Sequence, residues 1–477
     1  MRVSTYYKLG RTQASLDFVD VDIVADTPLF ISPKAIAMQQ SEWADRCVSL
    51  IQNFFETVLD LIKKGKNVEA RRLLSMLREP NETHLGLSKG KSRGRALGSE
   101  SAKDVWKALA NSQAAKSGLL KDLEDTVLLI EGVSVDIVSD IATNIIRQPL
   151  IEYTQEMADQ LGIPVKPGVA SGPMWDPRRR AWFTEFVKMP VTKAGPLLLI
   201  PKAIVRRHLE YDAGEYYRHF LLEHLRAVEL SANSALVEVL KNKKRRVTKK
   251  ALAEKYGTGK KAIVRETLKH PEVLERYRKA KEGKEAVPLT HEEIARLEGQ
   301  ASPDWDALLK AVTDIPSGKK HADAYERAVE ALLTALFYPD LTHPRLQHKI
   351  HEGRKRIDIT YTNMAQSGFF KWLASHYTAM QIFVECKNYG KDVANPELDQ
   401  LTGRFGPSRG RIGLSVSRKF KDKKRFLETC RDTAKDDRGY VIALDDEDLK
   451  TLVKARKSQD LYQDWPLLRQ RFQALID

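Results

Sequence analysis

Cysteine is scarce in this chain: Cys47, Cys386 and Cys430 are the only three among 477 residues, and they lie far apart. The spacing leaves no CxxC pair and no Cys/His ligand cluster, so neither a zinc finger nor a disulfide framework is expected. Long apolar runs are missing as well. No stretch approaches the ~18–20 apolar residues of a membrane-spanning helix, and the opening MRVSTYYKLGRTQASLDF lacks the apolar core of a secretory signal. With so few thiols, the expectation is a protein of the reducing cytoplasm with no membrane partner. Nucleotide-hydrolysis fingerprints fail too. Gly90-Lys91-Ser92 ends like a P-loop, but Leu85 stands where its first glycine belongs, and Glu254 does the same for YGTGKK.

What the chain has in excess is positive charge, a formal +15 with an isoelectric point near 9.4. Such a surplus attracts polyanions through the field of the whole protein and through counterion release, which makes DNA the expected partner. The densest tract runs from Lys241 to Glu285 and contains the candidate contacts Lys243, Lys244, Arg245 and Arg246. Within it, VTKKALAEKYGTGKKAIVRETLKH has the outline of a helix–turn–helix, or of a solvated helical linker. A glycine-rich loop from Leu85 to Gly98 adds Lys89, Lys91, Arg93 and Arg95, a loop suited to cradling phosphate through its backbone N–H groups or to lying on the surface. In MWDPRRRAWF, Arg178, Arg179 and Arg180 lie between Trp175 and Trp182, which suits base stacking or a turn between two strands. His343, His348 and His351 cluster further on, and surface placement is the ordinary outcome for such histidines.

Length and a hydrophobic content of 42% allow several ordinary cores, in an α/β multidomain protein. Residues 1–164 read as a mainly helical region. It opens with strand-like alternation in SLDFVDVDIV and continues at helical spacing in CVSLIQNFFETVLDLIKKG and VSVDIVSDIATNIIRQPLIEYTQEMADQLG. Residues 165–225 form a small mixed segment in which FTEFVKMPV and GPLLLIPKAIV look like strands, and 226–316 a basic helical connector. From 317 to 477 the pattern becomes regular. Helix HADAYERAVEALLTALFY precedes strands LQHKI, KRIDITYT and QIFVECKNY; helix PELDQLTGRFG, strand RIGLSVS, helix KDKKRFLETCRDTAK, strand YVIALD and a capped final helix follow. This order predicts a mixed sheet with at least one parallel crossover.

Two strands of this last region carry charges where apolar residues would be expected. Asp358 sits between Ile357 and Ile359, so alternation turns it to the other face of its strand. On the next strand Glu385 and Lys387 are two apart and share a face, with Cys386 on the other. Buried charges at such positions are costly unless they are paired or used. Two carboxylates and a lysine can hold a divalent metal beside a scissile phosphate, with the backbone carbonyl of Cys386 as one more oxygen.

This set resembles the PD-(D/E)xK nuclease superfamily, and within it the Mrr-like restriction endonucleases, over about a third of the chain. The resemblance implies a restriction-endonuclease-like α/β/α domain in which Asp358 and Glu385 coordinate Mg²⁺ (or Mn²⁺) and Lys387 assists attack on the phosphate. It also implies a further acid on the preceding helix, Glu326 or Glu330, a glutamine on the following helix, Gln400, and a phosphate contact from Arg404 one turn on. Restriction or antiviral defence in a prokaryote, or else DNA repair, is the setting it implies. Two-strand cleavage would call for a dimer or larger assembly, and the N-terminal region would sense, recognise or regulate, with room for a partner protein. The interval from Asp358 to Glu385 is longer than the family usually shows, and its TNMAQSGFFKWLASHYTAM predicts an extra helix or flap near the site. The literal Pro339-Asp340 falls in a turn, not on a strand.

Overall fold

A computed structural model describes residues 1–86, 108–109, 112–117, 119–208, 211–240, 242–282, 288–350, 355–388, 395–407, 409–458 and 464–477. Near the N-terminus, Ser41 accepts a hydrogen bond from the Ala44 N–H and so starts helix α1, Glu42–Lys63. Its Cys47, Leu50, Ile51, Phe54, Phe55, Val58 and Ile62 recur every three or four residues and form one buried face. Helices α2, Val135–Ile145, and α3, Arg147–Leu161, follow; α3 ends at Gly162, whose positive φ lets the chain reverse. Four short strands come next: β1 (Val165–Ala170), β2 (Met174–Asp176), β3 (Ala181–Phe183) and β4 (Phe186–Thr192). β1 pairs with β4 and β2 with β3, both antiparallel.

Two stretches expected as strands are not strands. Ser15–Val24 alternates in polarity, yet Gln13 to Val21 are buried without a break. The alternation arises because Asp17 and Asp20 meet buried donors, not water: the Tyr153 hydroxyl at 2.8 Å for Asp17, and the Ser4 amide (2.8 Å) and hydroxyl (2.6 Å) for Asp20. Leu197–Ile200 is buried coil, and only Gly195–Pro196 and Val205–Arg206 within GPLLLIPKAIVR pair with other strands.

The basic tract is helical: α4 (Leu222–Ser231), α5 (Lys249–Tyr256), α6 (Gly259–Lys269) and α7 (Pro271–Glu282). Their Leu225, Leu252, Ile263, Val273, Leu274 and Tyr277 join a single hydrophobic core that begins at Val3 and ends at Ile294. The helical region, the mixed segment and the connector all contribute to it. Buried Arg278 of α7 ties the tract to the rest through Asp125, at 2.6 and 3.2 Å.

A second core runs from Trp305 to Leu475 and takes in Ala14 from the first segment. It is built on a five-stranded mixed sheet in the order β5 (Leu341–Ile350), β6 (Lys355–Asn363), β7 (Gln381–Lys387), β8 (Ile412–Ser417), β9 (Tyr440–Leu444). The first three strands form an antiparallel meander, and β7–β8 and β8–β9 are parallel. Parallel neighbours need long crossovers, here helix α11 (Asn395–Thr402) and helix α12 (Lys423–Lys435); α8 (Trp305–Thr313) and α9 (Ala322–Phe337) precede the sheet, α10 (Gly368–His376) lies between β6 and β7, and α13 (Asp446–Lys457) and α14 (Pro466–Ile476) follow it. The insert between β6 and β7 is thus a helix. It packs as core, with Phe369 and Trp372 edge-on to Phe472 of α14.

The two cores meet along a polar seam. Arg11 bonds Glu330 of α9 at 2.5 Å, and the Asp17 carboxylate accepts the His343 amide of β5 at 2.9 Å. Glu156 of α3 holds the His343 ring at 2.7 Å, and Gln160 accepts the Leu346 amide at 3.2 Å. Lys202 is fully buried there, donating to the Ala14 carbonyl at 3.0 Å with its ammonium 4.4 Å from the Tyr338 ring centre. Burial pushes its pKa down from 10.5 to about 7, against a weaker upward pull from Asp17. Between those two values the unfolded chain binds the extra proton, so stability rises with pH across that window. Lys202→Met is expected to stabilise the protein at pH 7, by a few kcal/mol at most. It should also flatten the pH dependence of Tm between pH 7 and 10; an unchanged slope would show that Lys202 does not cause it.

Candidate active site

The β6–β7 ladder runs from Thr362↔Gln381 to Ile359↔Val384 and stops, while β7 stays paired with β8 as far as Lys387↔Ser417. The next residue on each side of the fork is Asp358 on β6 and Glu385 on β7. Fully buried Ile357 and Ile359 anchor the first strand and Val384 the second, so the hydrophobic pattern holds both carboxyl groups at the fork. Asp358 Oδ2 accepts the backbone N–H of Cys386 at 2.8 Å, bridging the open end of the ladder.

Glu385 is 1% exposed. Lys387 Nζ donates to its Oε1 at 2.7 Å, and the Arg404 guanidinium binds its other oxygen. Burial and then the charge of Asp358 push the Glu385 pKa up, while Lys387 and Arg404 oppose the rise. Glu326 of α9 behaves similarly: burial, with a contribution from Asp358, lifts it to about 7. The side-chain amide of Gln347 donates to both Glu326 oxygens. The Cys386 thiol is driven well above its ordinary value by burial first and by Asp358 next, so it stays protonated and only its carbonyl is suited to a hard cation. Beside Lys387, the buried Ser417 Oγ and Asn388 Oδ1 have no hydrogen-bond partner among the described residues. Two acids that each feel the charge of Asp358, a lysine on one of them and an unsatisfied hydroxyl beside that lysine fit the donor set of a divalent metal.

Sequence reading and structure part at several residues. Glu330, the alternative helix acid, turns to Arg11 and Thr334, leaving Glu326 as the acid that feels Asp358. Arg404, expected on a phosphate, is buried on Glu385, because a carboxylate so enclosed needs a counter-charge. Gln400 is exposed on α11. Asp340 of the literal Pro-Asp is buried, and desolvation raises its pKa to about 7; its backbone carbonyl holds the Met364 amide. Lys243, Lys244, Arg245 and Arg246 are all exposed around a short pairing of Glu238–Val239 with Arg245–Arg246, where Arg246 meets Glu238 at 2.9 Å. Lys89, Lys91, Arg93, Arg95 and His351 lie outside the described residues. Arg178–Arg180 form an exposed turn, but the tryptophans beside them are structural: Trp175 packs edge-on to Phe54, and the Trp182 indole N–H donates to the Leu73 carbonyl at 2.9 Å. Gln347 escaped the sequence reading, since nothing local marks a glutamine that clamps a helix acid from the edge strand.

Residues 8–212 match a family described as "Domain of unknown function (DUF8370)"; that is under half of the chain, and the match ends before the C-terminal sheet begins. No curated protein and no solved structure matches the chain significantly.

Proposed function

We propose that the C-terminal body is a magnesium-dependent nuclease of the PD-(D/E)xK type that hydrolyses DNA phosphodiester bonds. One observation carries the reading: Asp358 and Glu385 flank the point where β6 and β7 part, with Lys387 on the Glu385 carboxylate. The order of elements supports it, with an acid-bearing helix, the aspartate strand, the Glu-x-Lys strand and then α11. Asp358, Glu385 and the Cys386 carbonyl would hold Mg²⁺ or Mn²⁺, with Glu326 as a further acid. Such an ion, when bound, polarises the phosphate and makes its water a better nucleophile. Lys387 stands where it can steady the attacking water or the charge that grows on the phosphoryl oxygens. Glu385, two-fold paired with cations, has the counter-charge that a carboxylate inside an apolar sheet needs. Exposed Lys243–Arg246 and the overall +15 supply attraction for the DNA backbone. A defence role follows from the resemblance alone and stands or falls with substrate choice.

The test uses purified full-length protein on supercoiled, nicked, branched and linear DNA, single-stranded DNA and RNA, with Mg²⁺, Mn²⁺ or chelator. Cleavage of intact plasmid in metal and none in chelator is expected. A preference for nicked or branched DNA would move the setting to repair, and salt-sensitive binding with no cleavage in either metal would overturn the proposal. Between the two helix acids, Glu326→Gln is expected to slow cleavage about 10–100-fold, as the loss of a supporting acid at a metal site does. Glu330→Gln should leave the rate near wild type and lower Tm instead, since Arg11 loses its partner. Equal rate losses would put Glu330 back at the site.

A further inference from the structure

Far from these carboxylates in sequence, three other donors converge. His224 lies on α4, His270 ends α6, and Glu272 is in the first turn of α7, one residue beyond Pro271. His224 Nε2 and His270 Nδ1 are 3.1 Å apart, and Glu272 Oε1 is 3.4 Å from the first and 3.6 Å from the second. Four ligands at ~2.0–2.1 Å from a tetrahedral zinc ion stand about 3.3–3.4 Å from one another, so these three atoms mark one face of such a tetrahedron. We propose that His224, His270 and Glu272 form a transition-metal site that binds Zn²⁺, with the fourth position open to water.

The chemistry of the set agrees with its geometry. The two imidazole nitrogens are borderline ligands that favour zinc over magnesium, and one carboxylate oxygen beside two histidines is an ordinary zinc ligand set. Binding needs neutral imidazoles, and burial together with His270 holds the His224 pKa below its ordinary value. Arg276, one turn along α7, also acts on His224 as a positive charge, and the Glu272 carboxylate offsets it. Both histidines are half-buried and Glu272 is exposed, which gives an ion an entry path. The alternative is a simple His–His hydrogen bond, one ring donating to the other. The two differ in consequence, because an ion would clasp α4 to the α6–α7 turn and so fasten the helices on either side of the Lys243–Arg246 segment.

The experiment takes tag-free full-length protein, stripped with chelator and held in excess Mg²⁺ so that hard-oxygen sites are filled. Zn²⁺ is titrated against a chromophoric competitor, and Co²⁺ is added separately as a spectroscopic probe. Expected are one equivalent of Zn²⁺ bound at micromolar or tighter Kd, visible d–d bands of four-coordinate Co²⁺, and a rise in Tm with Zn²⁺. His224→Ala and His270→Ala should each weaken Zn²⁺ at least tenfold and abolish the cobalt bands. His224→Gln, closer in shape, serves if alanine disturbs the fold. Wild-type protein that takes up no stoichiometric zinc, or histidine variants that bind it as well as wild type, would overturn the site. Neither result bears on DNA cleavage.

Discussion

Alanine at Asp358 is expected to lower the rate of plasmid cleavage by about a thousandfold or more. A bound metal contributes several kcal/mol to a phosphoryl transition state, and about 4 kcal/mol corresponds to about three decades in rate. Asp358 is the cleanest of the three positions to test. Its removal frees the N–H of Cys386, whereas Glu385→Ala would take away the carboxylate that meets both Lys387 and Arg404 in a buried place. The latter costs stability, about 3–5 kcal/mol by the usual measure of a broken buried pair. Glu385→Gln and Lys387→Met are therefore the better companions, with Tm measured beside the rate. All three should lose cleavage while retaining salt-sensitive DNA binding. Variants that are fully folded and still cut at the wild-type rate would remove the fork between β6 and β7 from the chemistry.

Asp125→Ala should destabilise the N-terminal body by up to about 3 kcal/mol, because it removes the buried partner of the Arg278 guanidinium and leaves only the more exposed Glu275, at 2.5 Å, as its counter-charge. Asp125 is fully buried, and its two oxygens take Arg278 Nε and Nη2, while that guanidinium also reaches the Leu119 carbonyl at 2.9 Å. Replacing both partners, Asp125→Ala with Arg278→Met, should recover the part of the loss that belongs to the charge, while the N–H groups of Lys121 and Asp122, which Asp125 also holds at 2.8 and 3.0 Å, stay without their acceptor. Denaturant unfolding of the single and double variants separates the terms. A single variant within about 1 kcal/mol of wild type would mean that water reaches the guanidinium.

How much of this was legible in the sequence depended on how local each signal was. The strands of the C-terminal sheet are short apolar runs between turns, and Asp358 and Glu385-x-Lys387 interrupt those runs, so pattern alone located them. Arg404 was expected one turn beyond Gln400 on the same helix face, but α11 ends at Thr402, and the turn that follows, which no local pattern records, carries Arg404 onto Glu385. Ser15–Val24 misled for the opposite reason. Its aspartates interleaved with apolar residues look like a half-exposed strand, and only the tertiary partners Tyr153 and Ser4 reveal that no solvent is there. His224 and His270 are 46 residues apart, too far for any spacing rule to join them. The seam was invisible for the same cause: Arg11 and Glu330 are separated by 319 positions.

Strand β5 answers to both bodies at once. The Leu346 amide is gripped by Gln160 of α3, and its chain neighbour Gln347 grips Glu326, the acid that borders Asp358. A single peptide unit thus separates the N-terminal body's hold from the clamp on that acid. Close-packed interiors pass displacements along instead of absorbing them. Whatever tilts α3, be it a bound molecule or a neighbouring subunit, has a lever one residue long on the carboxyl group beside the fork.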